Sequence, residues 1–410
     1  MSEPVSVAVG NHTALTATGS MQSLGPKKPV ANSSSSRFYR PELDTLRFFA
    51  FFGVFMFHVI PHDPAFYSQH RLFPSRLVNP ICAVSGAGAF GVDLFFALSA
   101  YLITVLLLRE RQLRGSIDVK AFYIRRILRI WPLYFFFIAI AAIVSAWNPM
   151  QHMEWQYAAG YLLLAGNWVY TWRGLPDSLI TIPLWSISVE EQFYLAWPLI
   201  ARRVSVTQMK YVVVALLMLG YISRFVLVAF HVTGTAVEYD TFARIDPIAL
   251  GIGLAILFGD RPLKLSLLAR LSLVLVSLGI WFTASFYGGL NAPRAMAPVL
   301  GTLIGRPAVA FGAIVLLIAF IGAPDAGAKV LAHPILTYLG RISYGLYVYH
   351  VAALTLAKHL FATDNIGSHV ARALLGLVLT ILFSMASYRW LETPFLHLKD
   401  RFAKVLSRPV

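Results

Sequence analysis

Apolar residues run along this chain in long blocks, not in alternation. From about Leu46 to Leu391, stretches rich in Leu, Ile, Val, Phe and Ala are separated by short polar loops. A hydrocarbon layer about 30 Å thick takes about 20 residues of helix, and only a helix or a closed barrel satisfies its own backbone in lipid. Blocks of that kind fall near residues 45–60, 86–108, 130–147, 184–200, 211–230, 242–259, 271–287, 299–322, 335–358 and 370–390. They lack the every-second-residue alternation of a barrel strand. The pattern therefore predicts an all-α fold, a polytopic membrane helical bundle of about ten transmembrane helices. Residues 157–172 (YAAGYLLLAGNWVYTW) are apolar enough to enter a bilayer, but a full crossing there would put Arg202 and Arg203 on the outer side. They are expected to form a re-entrant or half-membrane segment, which lipid tolerates only against protein or a wet cavity. No internal repeat is visible, so an inverted-repeat transporter has no direct support.

Composition agrees with a membrane solvent. Of 410 residues, 58% are hydrophobic and 13% charged, against about 25% charged in a soluble domain. With 34 Lys and Arg against 19 Asp and Glu, the formal charge is +15. In a soluble protein that surplus would suggest nucleic acid. Here, with the N-terminus inside, inner segments carry about three basic residues for each one in outer segments. The surplus is thus an orientation signal that puts both termini in the cytoplasm, and no nucleic-acid partner is needed. Residues 1–40, with Lys27-Lys28 and Ser33 to Ser36, contain no signal-peptide core and read as a disordered cytoplasmic tail. Residues 41–395 read as the membrane domain and 396–410 as a basic cytoplasmic tail. The single cysteine, Cys82, precludes an intrachain disulfide, and no Cys/His cluster has metal-ligand spacing, so no metal is expected.

Charges inside apolar blocks cost at least about 2.5–3.5 kcal/mol each on insertion scales, which makes each a functional candidate. Arg47 and His58 lie in one block, about 16 Å apart along a helix and on nearly the same face. With Arg47 at the inner boundary, His58 falls near mid-membrane. The competing readings are that Arg47 snorkels to lipid phosphates and that His58 only packs. Asp93, in the second block, is a carboxylate in need of a partner: either the acceptor that holds a neutral histidine in one tautomer, or a charge favoured by the helix macrodipole. Arg125 and Arg129 are four apart with Arg126 beside them, a guanidinium cluster suited to phosphate or to simple cytoplasmic anchoring. Ser188 and Glu191 fit a capping box, leaving Glu190, on one face with Ser186 and Tyr194, as the more reactive carboxylate. Arg244 and Asp246 are placed to neutralise each other, and His350 is a second intramembrane histidine, among tyrosines.

These residues together resemble the integral-membrane acyltransferase family 3, which includes O-acetylases of lipopolysaccharide O-antigen, peptidoglycan, exopolysaccharides and nodulation factors. The resemblance rests on Leu43-Asp44 with Arg47 and His58, on Gly91-Val-Asp-Leu-Phe-Phe-Ala-Leu-Ser99, and on Arg125-Arg126 with Arg129. It continues through Leu184-Trp-Ser-Ile-Ser-Val-Glu-Glu-Gln-Phe-Tyr194, Arg244-Ile-Asp246, Ser343-Tyr-Gly-Leu-Tyr-Val-Tyr-His350 and Trp390-Leu-Glu-Thr-Pro394. It covers roughly residues 38–395. Ala100, Thr393 and Trp131 depart from the residues usual in that family, which touches helix packing and the C-terminal contact but not the Arg47–His58 pair. No hydrolase-like domain is expected after Pro394.

The resemblance implies an O-acyltransferase of the bacterial inner membrane. Acyl-CoA, with acetyl-CoA as the leading candidate, would be the donor, its phosphates on Arg125, Arg126 and Arg129. A glycan or lipid-linked sugar would be the acceptor. His58 would act as general base or transient acyl carrier, Arg47 would steer the donor, and Asp93 or Glu190 would assist. Ser186, Tyr194, Arg244, Asp246 and His350 are the expected substrate-side residues. The alternative from another class is a transporter or flippase whose buried charges line a permeation path; a mere membrane scaffold leaves the cost of those charges unexplained.

Overall fold

The computed structural model describes residues 39–402 apart from 233, 260, 262, 291–298, 323–330, 362 and 364. The expected N-terminal tail lies outside the described residues up to residue 38. Among the described residues the regular structure is entirely helical. In chain order the helices are α1 (Pro41–Val59), α2 (Pro64–His70), α3 (Ser75–Ala87), α4 (Gly91–Arg114), α5 (Val119–Trp147), α6 (Trp155–Leu162), α7 (Gly166–Arg173), α8 (Leu184–Arg203) and α9 (Val206–Ala229). They continue as α10 (Gly234–Tyr239), α11 (Asp246–Phe258), α12 (Leu267–Phe286), α13 (Arg306–Ile321), α14 (Pro334–Arg341), α15 (Ser343–Leu360), α16 (Ile366–Ser387) and α17 (Thr393–Asp400).

Local chemistry sets several boundaries. Pro41 opens α1, where its missing N–H costs nothing, with Glu42 and Asp44 in the first turn against the positive end of the helix dipole. Gly115, at φ 75°, ends α4 in the left-handed conformation. Asp118 restarts the chain by accepting from the Ala121 N–H at 2.9 Å, capping α5. Ser205 and Gln208 close a capping box on α9.

Six helical stretches are long and apolar enough to cross a membrane, seven if α1 and α2, bent by 58° at their junction, count as one span. The sequence pattern leads to about ten. The difference lies in three blocks: α8 carries Glu190, Glu191, Arg202 and Arg203, α11 has 13 residues, and the 335–358 block is broken at Ile342 into α14 and α15. Residues 157–172 form α6 and α7, two helices of 8 residues each, joined through Leu164 at φ 56°. At about 12 Å apiece neither crosses the bilayer. The boundary expected at residue 395 falls within α17 (Thr393–Asp400).

α1 and α4 stand at the centre and face two cores. Phe51, Val54 and Phe55 of α1 with Phe96, Ile103 and Leu107 of α4 belong to a core built with α5, α8 and α15. Leu43, Leu46 and Ala50 with Leu94, Leu98 and Tyr101 belong to the other, shared with α11, α12 and α13. Peripheral helices differ: α9, α12 and α16 leave Val214, Phe225, Leu275, Leu374 and Leu382 exposed. A continuous apolar exterior of this kind is stable only in lipid. Backbones approach closely at the centre, where a Cβ on Gly91 would overlap the Ala50 carbonyl and one on Gly340 the Asp44 carbonyl. Glycine at such contacts is what close helix packing in membranes requires.

Candidate active site

A cavity of about 150 Å³ lies among α1, α4, α5, α8 and α15. Its walls are apolar along Phe95, Phe96, Leu102 and Ile103, with polar side chains at chosen points: Arg47, Ser99, Arg126, Arg129, Ser186, Glu190 and Tyr194. The start of α5 meets the end of α4 through the Arg125–Glu110 pair at 3.2 Å, and the Tyr344 hydroxyl of α15 donates to the Ile130 carbonyl at 3.1 Å. Arg126 and Arg129 therefore stand at the end of the cavity formed by those termini.

The arginine cluster divides. Arg126 and Arg129, three apart, line the cavity, and the Arg126 guanidinium sits 5.4 Å from the centroids of both Phe122 and Tyr194. Arg125 instead pairs with buried Glu110 and donates to the Phe402 carbonyl at 2.8 Å. Arg125, expected with Arg126 and Arg129 at the donor's phosphates, is thus engaged by Glu110 of the neighbouring helix and is not among the cavity-lining residues. Arg47 reaches Asp44 at 3.3 Å, and both line the cavity.

On α8 the expected face is present: Ser186, Glu190 and Tyr194 all line the cavity. Glu190 lies within hydrogen-bonding reach of Ser99 and Tyr194 and within electrostatic range of Arg47 and Arg126. The Ser188–Glu191 capping box does not form. α8 begins earlier, at Leu184, so Ser188 bonds back to the Leu184 carbonyl at 3.1 Å and Glu191 accepts from the Trp131 indole at 3.1 Å. The Trp131 departure from the family pattern thus supplies the partner of a buried carboxylate.

Tyr347 bounds the cavity beside Ser186, their hydroxyls 2.8 Å apart. Beyond it come the two histidines. The His350 ring lies 5.5 Å from that of Tyr347 and 5.0 Å from that of His58. His350 is 1% exposed, whereas His58 is exposed. His58 occupies the last turn of α1, which ends at Val59, and is not among the cavity-lining residues. The structure thus separates Arg47, in the cavity, from His58, beyond Tyr347.

Asp93, Arg244 and Asp246 belong to buried ion pairs next to this partition. Arg244 donates to Asp93 at 3.1 Å and approaches Glu238 at 3.5 Å, while Arg306 pairs with the other Glu238 oxygen. Asp246 is held by Arg224, which is 0% exposed. Two expectations are corrected by these contacts: Asp93 is partnered by an arginine and not a histidine, and Arg244 does not neutralise Asp246. Asp246 opens α11 and faces α9, so the nearer guanidinium is that of Arg224. Arg244 also stacks 5.6 Å from the Trp185 ring.

Sequence reasoning missed Ser99, Tyr347 and Glu238. Ser99 ends one of the quoted motifs and Tyr347 lies three residues before His350, so both had a signal. Glu238 had none, standing between two apolar blocks, where a carboxylate is ordinary.

Residues 40–389 match the family described as "Acyltransferase domain". The chain is similar to the peptidoglycan O-acetyltransferase OatA of Listeria monocytogenes, 28% identical over 378 residues that cover 88% of this chain and 56% of that protein. It is similar as well to the O-acetyltransferase OatA of Staphylococcus aureus, 26% identical over 373 residues, or 87% of this chain and 57% of that protein. The chain thus spans little more than half the length of these curated relatives. No solved structure matches it.

Proposed function

Because the chain belongs to the acyltransferase 3 family, we propose that it is a membrane O-acyltransferase moving acetyl from acetyl-CoA to a hydroxyl of a cell-envelope glycan or lipid-linked sugar. The relatives' printed names, O-acetyltransferase and peptidoglycan O-acetyltransferase, support the acyl group and the acceptor class. The observation that carries the reading is the polarity of the cavity along its length. Arg126 and Arg129 occupy the end formed by α4 and α5 termini, which positive-inside counting assigns to the cytoplasm, and the opposite end is Tyr347, one ring short of the histidines. In this orientation both tails, 1–40 and 396–410, are cytoplasmic.

The donor's phosphates bind Arg126 and Arg129 through charge-assisted hydrogen bonds, and its thioester end lies along the apolar wall toward Tyr347. Arg47 holds the donor from the α1 side. His58, exposed beyond the partition, meets the acceptor hydroxyl. As general base it takes the hydroxyl proton while the acceptor oxygen bonds to the acyl carbon. The carbon–sulfur bond breaks, and the CoA thiolate then recovers the proton. General-base catalysis contributes about 10²- to 10⁴-fold. His58→Ala should therefore abolish O-acetylation of envelope glycan, read as base-labile acetate, in a protein that still reaches the membrane; normal acetylation by that variant overturns the mechanism. Single-turnover reaction with radiolabelled acetyl-CoA and no acceptor separates base from carrier, since only a carrier leaves label on the protein.

A further inference from the structure

We propose that His350 is a positioning residue that holds the His58 imidazole in its working orientation and tautomer, so that the site contains a pair of histidines. This rests on the reading of His58 as the general base.

His350 is 1% exposed, yet one of its ring nitrogens has no hydrogen-bond partner. The other is committed: Nδ1 lies 2.6 Å from the Tyr347 carbonyl oxygen. A carbonyl oxygen only accepts, so Nδ1 carries the proton and Nε2 presents a lone pair. Leaving a buried acceptor unpaired costs about 1–3 kcal/mol, which calls for a use. Two flanking rings fix the imidazole, Phe51 edge-on at 6.0 Å and Tyr347 at 5.5 Å. His58 lies against it, its ring 5.0 Å away and inclined at 53°. A rotation of the exposed His58 ring brings an N–H of His58 onto Nε2 of His350. The opposite His58 nitrogen then keeps its lone pair for the acceptor hydroxyl.

The arrangement does for His58 what a carboxylate does for the histidine of a hydrolase triad, orienting the ring and stabilising the imidazolium that forms. His350 keeps its own proton throughout. The remaining titratable neighbour of His58 is His62, which stacks on Phe57 at 4.9 Å, and the Phe57 ring in turn lies 5.0 Å from that of His58.

The test is steady-state kinetics of purified protein in nanodiscs, with acetyl-CoA as donor and a peptidoglycan-derived disaccharide as acceptor, reading CoA thiol release. His350→Phe preserves the ring packing and deletes the acceptor nitrogen. Its kcat should fall about 10- to 100-fold, the worth of one hydrogen bond to a charged group, with KM for acetyl-CoA unchanged. His350→Gln, whose amide oxygen can accept, should recover part of the loss. Full activity in His350→Phe beside an inactive His58→Ala overturns the pairing and leaves the general base standing. An active His58→Ala overturns both. Equal losses in His350→Phe and His350→Gln, with KM rising or the protein losing monodispersity, assign His350 to packing and overturn the proposal.

Discussion

Replacing Asp93 by Asn isolates one buried charge. The side chain keeps its shape and one oxygen that can still accept from Arg244 at the 3.1 Å contact, while the negative charge is lost and the second oxygen becomes an NH2 donor. Asp93 and Arg244 are each 2% exposed. Breaking a buried pair by removing one charge costs about 3–5 kcal/mol, because the survivor stays desolvated. Arg244 retains Glu238 at 3.5 Å, but that carboxylate already serves Arg306, so one anion is left for two guanidiniums. Glu238 thus compensates Arg244 only in part, and the expected loss is about 3–5 kcal/mol. Equilibrium unfolding by SDS titration in mixed micelles, followed by tryptophan fluorescence, measures it. The double variant Asp93→Asn/Arg244→Gln restores neutrality and should be more stable than the sum of the single losses, with a coupling of about 1–3 kcal/mol. A stability within about 0.5 kcal/mol of the parent, with no coupling, would refute the reasoning. A stable variant that loses acetyl transfer would place Asp93 in the reaction itself.

Other outcomes follow from the same geometry. Arg126→Ala and Arg129→Ala should each raise KM for acetyl-CoA about tenfold at low salt, with the effect shrinking as salt rises, whereas Arg125→Ala should leave KM unchanged and lower stability through the lost Glu110 pair. Tyr347→Ala joins the cavity to the histidines, and acetyl-CoA hydrolysis in the absence of acceptor should rise several-fold; unchanged thiol release would mean that Tyr347 is not the partition. Gly340→Ala forces a Cβ onto the Asp44 carbonyl and should cost about 1–3 kcal/mol in the SDS titration.

Helical character, six or seven of the ten expected apolar spans and the polar face of α8 were legible because each depends on periodicity within one segment. The Ser186–Glu190–Tyr194 face needed nothing beyond helical spacing. What spacing leaves open is which of several neighbours a charge takes. Arg125, Arg126 and Arg129 look alike in sequence, and only Glu110, brought in by the α4–α5 turn, separates the first from the others. Asp93 and Arg244 lie 151 residues apart, so their pairing is a property of helix docking. The capping-box reading failed for a local reason: Ser188 and Glu191 have the right spacing, but α8 starts a turn earlier, at Leu184, where neither can reach the free N–H groups.

The glycine contacts around α1 bear on how any substrate crosses. With Gly91 seated on the Ala50 carbonyl and Gly340 on that of Asp44, α1 is gripped backbone to backbone from two directions. A helix held that way cannot piston or rock without breaking both contacts at once, and interfaces of that density switch between discrete states more readily than they slide. Alternating access built on movement of α1 is disfavoured, which counts against a flippase. On the proposed reading the bulky, charged partners stay on their own sides, and the cargo that traverses the barrier shrinks to a two-carbon acyl group transferred within a fixed scaffold.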